Sequence, residues 1–316
     1  MARLPPQREM ADEVALRRLI RQRLQAPVAD ELKALAEAAM ARHGGQGGVQ
    51  AVLAYGSTLR DASFSETLAD LYVLTTDFAQ VSGHALARLG CRLVPPNVHY
   101  LALEHGGQAL RAKYAVLPLA QFARRVQADV DNPYFWARFA QPSRLVWAAD
   151  ETAARAVEDA IVDAVFTALT TAAILSDVAR PGWRALWEGL LRATYRTELR
   201  VESADRAAAI VAADEEWYRG TVRAMFGVEE EITFPSWLEE MRGGLRWRRV
   251  VVQGKLLSVL RLVKAAFTFS GGADYIAFKI ERHSGERIEL TDWQRRHPVL
   301  AGMLLLPRLL RKGVVK

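Results

Sequence analysis

Apolar and polar positions along this chain fall into two regimes. Val52, Leu53, Ala54 and Tyr55 make a short apolar run of strand character that stops at Gly56-Ser57. A second run, Leu68-Ala69-Asp70-Leu71-Tyr72-Val73-Leu74, carries Asp70 near its start. Further strands are predicted at Cys91–Val94, Val98–Leu103, Arg111–Leu117 and Ser143–Trp147, the middle two paired as a hairpin through Glu104-His105-Gly106-Gly107. Between them, Phe78–Leu89 (stopped by Gly90) and Leu119–Gln127 have helical spacing. From Glu151 to Ser176 the pattern changes: Ala154, Val157, Ile161, Val165, Ala168, Ala172 and Leu175 recur at helical intervals, and the chain continues helical to about Gly254. Trp183, Trp187, Trp217 and Trp237 are expected as core anchors of that region.

Two helices, around Gln7–Leu24 and Ala29–Arg42, precede the first strand, separated by Pro27 and closed by a glycine linker, Gly44–Gly48. The expected fold is therefore α/β (α+β): N-terminal helices over 1–48, a sheet domain over 49–150 and a helical domain over 151–292, with a basic apolar tail over 293–316.

Composition narrows the function. With 51% apolar residues the 316-residue chain has ample material for a packed core. The lone Cys91 excludes an intramolecular disulfide and a cysteine-cluster zinc site, and is expected as a small buried hydrophobe. His99 and His283 have no metal-ligand spacing and are expected to be structural. No secretory signal pattern opens the chain, and no run reaches the roughly 18–20 apolar residues that span a bilayer. The expected location is thus cytoplasmic, peripheral on the inner face of the membrane.

Net charge is +6, and its distribution matters more than its size. From Trp293 to Lys316 there is no acid, while Arg295, Arg296, Arg308, Arg311, Lys312 and Lys316 flank the apolar segment Val299–Leu306. Such a segment is suited to an anionic membrane interface, and deleting 298–316 is expected to remove membrane binding. Charge placed on an apolar segment, rather than among exposed aromatics, weighs against nucleic acid as a partner.

Candidate chemistry centres on the first two strands. A strand ending in Gly56-Ser57 lets backbone N–H groups and a hydroxyl approach a phosphate closely, helped by the N-terminus of a following helix. Asp70 on the adjoining strand is placed to hold Mg²⁺ against that phosphate. This layout resembles the polymerase-β-like nucleotidyltransferase superfamily. Many of its members carry a second acid two residues beyond the first, where this chain has Tyr72.

The ordered set Tyr55-Gly56-Ser57, Asp70, Lys113-Tyr114-Ala115-Val116, Tyr134–Arg144 and Tyr195–Arg200 is more specific. Over about 50–270 it resembles the mitochondrial-type phosphatidate cytidylyltransferases of the translocator-maintenance family, with Lys264–Thr268 faintly similar to a C-terminal segment of that family. The chain departs from the family pattern at Ala115, where the family has Gly, at Gln141, which replaces a Lys, and at Glu198, which replaces an Asp. Ser270-Gly271-Gly272 also lacks the family's lysine.

The resemblance implies Mg²⁺-dependent transfer of a cytidylyl group from CTP to phosphatidate, with release of pyrophosphate. It implies Asp70, Glu198 and Lys113 as catalytic groups, with Asp70 and Glu198 as metal ligands and Glu198 supplying the missing second carboxylate. Gly56, Ser57 and Tyr114 would bind CTP, and Arg138, Arg200 and Lys264 would bind phosphate or lipid. Two other readings stay open on sequence: a nucleotidyltransferase with a non-lipid acceptor, and a non-catalytic lipid- or nucleotide-binding scaffold in which Tyr72 marks a lost site.

Overall fold

Five strands, all drawn from the stretch of short apolar runs, form one mixed sheet: β1 (Val49–Tyr55), β2 (Ala69–Thr75), β3 (Asn97–His105), β4 (Gln108–Pro118) and β5 (Ser143–Ala148). Their order across the sheet is β3-β4-β2-β1-β5. Only β2 and β4 run parallel; the other neighbours are antiparallel. In this computed structural model residues 10–59, 68–198, 204–235 and 244–268 are described, with positions 238, 272, 291, 293 and 294. β1, β2 and the second half of β4 (Tyr114–Pro118) are near-continuous apolar runs because helices cover both faces there, while the first half of β4 alternates and carries Arg111 and Lys113.

The helices are α1 (Glu13–Leu24), α2 (Asp30–Ala41), α3 (Gly45–Gly48), α4 (Ala85–Leu93), α5 (Leu119–Arg125), α6 (Trp136–Phe139), α7 (Glu151–Leu175), α8 (Trp183–Tyr195), α9 (Ala204–Ala212), α10 (Glu215–Phe226) and α11 (Gly244–Thr268). Asp12, Asp150 and Asp214 cap α1, α7 and α10, each side chain accepting a backbone N–H of the first turn. One sheet face packs on α2, and the other on α5, α6 and α7. The buried faces of α7, α8 and α10 continue the same hydrophobic core, in which Trp187 and Trp217 are fully enclosed. Their indole N–H groups donate to the Tyr218 and Ala140 carbonyls at 3.1 and 3.0 Å, respectively. Trp183 is likewise buried, and Trp237 lies outside the described residues.

Three expectations are corrected. The glycine run after α2 is a turn of helix rather than a linker: Gly44 takes φ +83°, and a β-carbon at Gly48 would collide with the His43 carbonyl. Gly90 does not stop α4 but lies within it, and Cys91–Leu93, expected in a strand, are its last turn. The physical reason is side-chain packing: a β-carbon at Gly90 would stand 3.1 Å from the Lys264 stem, so glycine serves a close approach there instead of a C-cap. Cys91 is fully buried, as expected for a small hydrophobe.

Candidate active site

The strand register decides which side chains meet. Tyr55 of β1 is opposite Asp70 of β2, and Asp70 is opposite Lys113 of β4, so the three form one row across adjoining strands. The Lys113 ammonium stands 3.8 Å from the Asp70 carboxylate. Directly after β1, Gly56 adopts φ +87°, a left-handed conformation that favours glycine, and its open side faces Asp70: a β-carbon there would sit 3.5 Å from Oδ2. A single 3-10 turn, Ser57–Leu59, follows where a helix N-terminus was expected. The Ser57 side chain is outside the described residues.

Tyr72, two residues beyond Asp70, points to the same side of the sheet but is completely buried. Its ring packs edge-on against Phe139 at 4.8 Å between centroids and against Tyr55 at 5.4 Å. Burial foremost, then the neighbouring Tyr134 phenol, pushes its hydroxyl well above the ordinary phenol range. The position two residues beyond Asp70 is therefore aromatic floor.

Another carboxylate enters the cleft from elsewhere in the chain. α8 ends in a tight turn in which the Thr197 and Glu198 amides donate to the Thr194 and Tyr195 carbonyls at 3.0 and 3.1 Å. That turn brings Glu198 into the same open cleft as Asp70, a space of about 170 Å³ also lined by Tyr55, Gly56, Lys113, Tyr134, Arg138 and Arg206. Glu198 stands 3.7 Å from Arg138, whose other N–H donates to the Tyr134 carbonyl at 2.7 Å. Asp70 and Glu198 are hard oxygen donors in one cleft, the ligand type a Mg²⁺ ion takes; Mg²⁺ completes its shell with water and substrate phosphate oxygens. Their ion pairs are wider than direct hydrogen bonds. Among the described residues no group of three or more His, Cys, Asp or Glu gathers as a metal site, so such an ion would rest on two protein carboxylates.

One feature of the cleft was not read from the sequence. The Tyr134 ring lies between two guanidinium groups, Arg138 at 4.4 Å and Arg261 of α11 at 3.7 Å from its centroid. Burial opposes ionisation of Tyr134, yet Arg138, Arg261 and Lys113 outweigh it and bring the phenol below its ordinary value. Arg138 holds its charge against burial because the Tyr72, Tyr55 and Tyr134 rings and Glu198 surround it. The i, i+4 spacing of Tyr134 and Arg138 was visible in the sequence, but nothing there tied Arg261 to either.

The remaining expected site residues are placed apart. Tyr114 follows Lys113 on β4 and so points to the opposite face, where its hydroxyl meets His43 Nε2 at 3.3 Å, under α2. His99, expected as structural, is buried in that same cluster, 5.3 Å from Tyr114 between ring centroids. Lys264 is not part of the cleft lining; its ammonium donates to the Val94 and Pro96 carbonyls, both at 2.5 Å. Gln141 lines the cleft and donates to the Ala137 carbonyl at 2.9 Å. Arg200, His283 and the segment 298–316 lie outside the described residues. No helix among the described residues is long and apolar enough to cross a membrane. Compared with known proteins, the chain matches no protein-family model and no curated protein.

Proposed function

We propose that this protein is a Mg²⁺-dependent nucleotidyltransferase that moves a cytidylyl group from CTP to phosphatidate, giving CDP-diacylglycerol and pyrophosphate. The observation that carries this reading is the meeting of Asp70 and Glu198 in one cleft with Lys113 and Arg138, although the two acids are far apart in the chain. Two carboxylates beside two cations and an open glycine are what transfer to a phosphate acceptor needs. The acceptor is already an anionic oxygen nucleophile, so the protein's task is positioning and charge neutralisation.

In this reading an oxygen of the lipid phosphate attacks the α-phosphorus of CTP, and the bond from that phosphorus to the bridging oxygen of the β-phosphate breaks. The electron pair leaves with pyrophosphate. Asp70 and Glu198 would hold Mg²⁺, which when bound would offset negative charge on the triphosphate. Gly56 lets the triphosphate approach the end of β1. Lys113 supplies a compact positive charge to one phosphate, and Arg138, its guanidinium held by the Tyr134 carbonyl, supplies a planar fork to another. The protein works as a peripheral enzyme at the cytoplasmic face of a membrane.

The test is a transfer assay with labelled CTP, Mg²⁺ and phosphatidate in mixed micelles, beside Asp70→Ala. A labelled lipid that disappears with the variant is expected. Mg²⁺-dependent CTP binding with no lipid product would replace phosphatidate by another acceptor, and neither product nor binding would end the enzymatic reading.

A further inference from the structure

The C-terminal helix α11 packs one face on the protein yet leaves a second, apolar face uncovered. Its inward stripe carries Trp247 and Val250 in its first turns and then Gly254, Ser258, Arg261 and Lys264, while Val252, Leu256, Val259, Leu260, Leu262 and Val263 face outward, 42–69% exposed. Polar groups turn inward because they have specific work there. Gly254 lets the helix approach the Thr197 carbonyl, Arg261 reaches the Pro95 carbonyl and the Tyr134 ring, and Lys264 caps the Val94 and Pro96 carbonyls.

Where Lys264 passes Gly90, α11 meets α4, and α4 repeats the anomaly. Leu86, Leu89 and Leu93 are 52–83% exposed. Leu86 and Leu93 lie one turn either side of Gly90, and Leu260 lies one turn before Lys264, so the apolar rows of both helices flank the contact between them. Scattered exposed leucines are ordinary; apolar rows on two helices that meet are not.

The charge of the two helices identifies what covers these rows. Neither α4 nor α11 contains an Asp or Glu, and the outward face of α11 carries Arg248, Arg249 and Lys255 beside its apolar row. Apolar side chains bordered only by cations match the layered chemistry of an anionic bilayer surface, with hydrocarbon below and phosphate at the rim. A protein partner or a second copy of this chain would need acidic groups to meet those cations, and this face offers a second copy none.

We propose that the outward faces of α11 and α4 form a docking surface for an anionic phospholipid bilayer. The surface stands on its own packing and charge and does not depend on which group the cleft transfers. It also gives α11 a double duty, since the helix lying on lipid is the one that sends Arg261 onto the Tyr134 ring.

The test uses the full chain in flotation with vesicles of phosphatidylcholine alone or mixed with phosphatidylglycerol, without nucleotide. Binding to the anionic vesicles is expected, weakening as salt is raised. The paired changes Leu256→Glu with Leu260→Glu on α11, and Leu86→Glu with Leu89→Glu on α4, should each lower it at least about tenfold. Their circular dichroism and elution volume should match the unaltered protein. Leu304→Glu with Leu305→Glu in the C-terminal segment, which the sequence alone singles out as the membrane contact, should in this proposal leave most of the binding. The proposal is overturned if both face variants bind as the unaltered protein does, if the C-terminal pair alone abolishes binding, or if the face variants merely convert a dimer into a monomer. Vesicle binding with no transfer would sink the proposed reaction and leave this surface; transfer to a micellar acceptor with no vesicle binding would do the reverse.

Discussion

Gly254 of α11 lies against Thr197, the residue before Glu198, so closely that a β-carbon would stand 2.7 Å from the Thr197 carbonyl oxygen. The far side of that contact is backbone, which cannot swing aside. Gly254→Ala should therefore destabilise the protein by about 1–3 kcal/mol through overpacking, although alanine favours a helix by about 1 kcal/mol. Urea unfolding checks the stability. A second consequence distinguishes this contact from ordinary packing: pushing the Thr197 turn moves Glu198, so metal-dependent CTP binding should weaken as well.

Asp70 and Glu198 act on the same charge in the proposed reaction. Asp70→Asn and Glu198→Gln should each reduce transfer by about 10²-fold or more, and the double variant should be scarcely worse than either alone. Both carboxylates line an open cleft rather than the core, so thermal unfolding of these variants should stay within a few degrees of the parent. Full multiplication of the two losses would show that the acids work separately and would count against a shared metal.

Both guanidinium groups, Arg138 and Arg261, stand over the Tyr134 ring. Tyr134→Phe should keep most of that support, while Tyr134→Leu should cost about 1–3 kcal/mol more, at roughly 1 kcal/mol for each cation over the ring plus lost packing. Chemical denaturation of the two variants side by side measures the difference. Equal losses would assign the effect to the hydroxyl.

The buried pair His43 and His99 gives the fold an acid limit. Burial, with His43 and Arg42 adding to it, holds His99 down to about 3 from 6.5, and burial also lowers His43. The unfolded chain takes up protons below about pH 6.5 that the folded one refuses. Stability is thus full above that pH and falls as pH drops towards 3, by up to about 1.4 kcal/mol per pH unit from His99, with His43 adding to the loss in the same direction. Unfolding midpoints at pH 7 and pH 4.5 test this, and His99→Gln should flatten the acid slope.

Fold class was legible because it rests on short-range signals. The apolar runs at β1 and β2 and the hairpin through Gly106-Gly107 announce themselves by periodicity and turn residues, as does the long apolar stripe of α7. Gly90 and Gly44–Gly48 were misread because glycine has two uses, and sequence does not say whether a glycine ends a helix or admits a neighbour.

The carboxylate pair shows the division most clearly. Local pattern placed Asp70 on a strand beside Gly56, and the ordered motifs pointed to Glu198 as its partner. Only packing could bring the end of α8 over the start of β2, send Tyr114 to the opposite face from Lys113, and turn Lys264 from the cleft to the Val94 and Pro96 carbonyls. Periodicity tells a side chain's direction relative to its own element. What waits in that direction depends on contacts between residues far apart in the chain, as Arg261 on Tyr134 and Gly254 on Thr197 demonstrate.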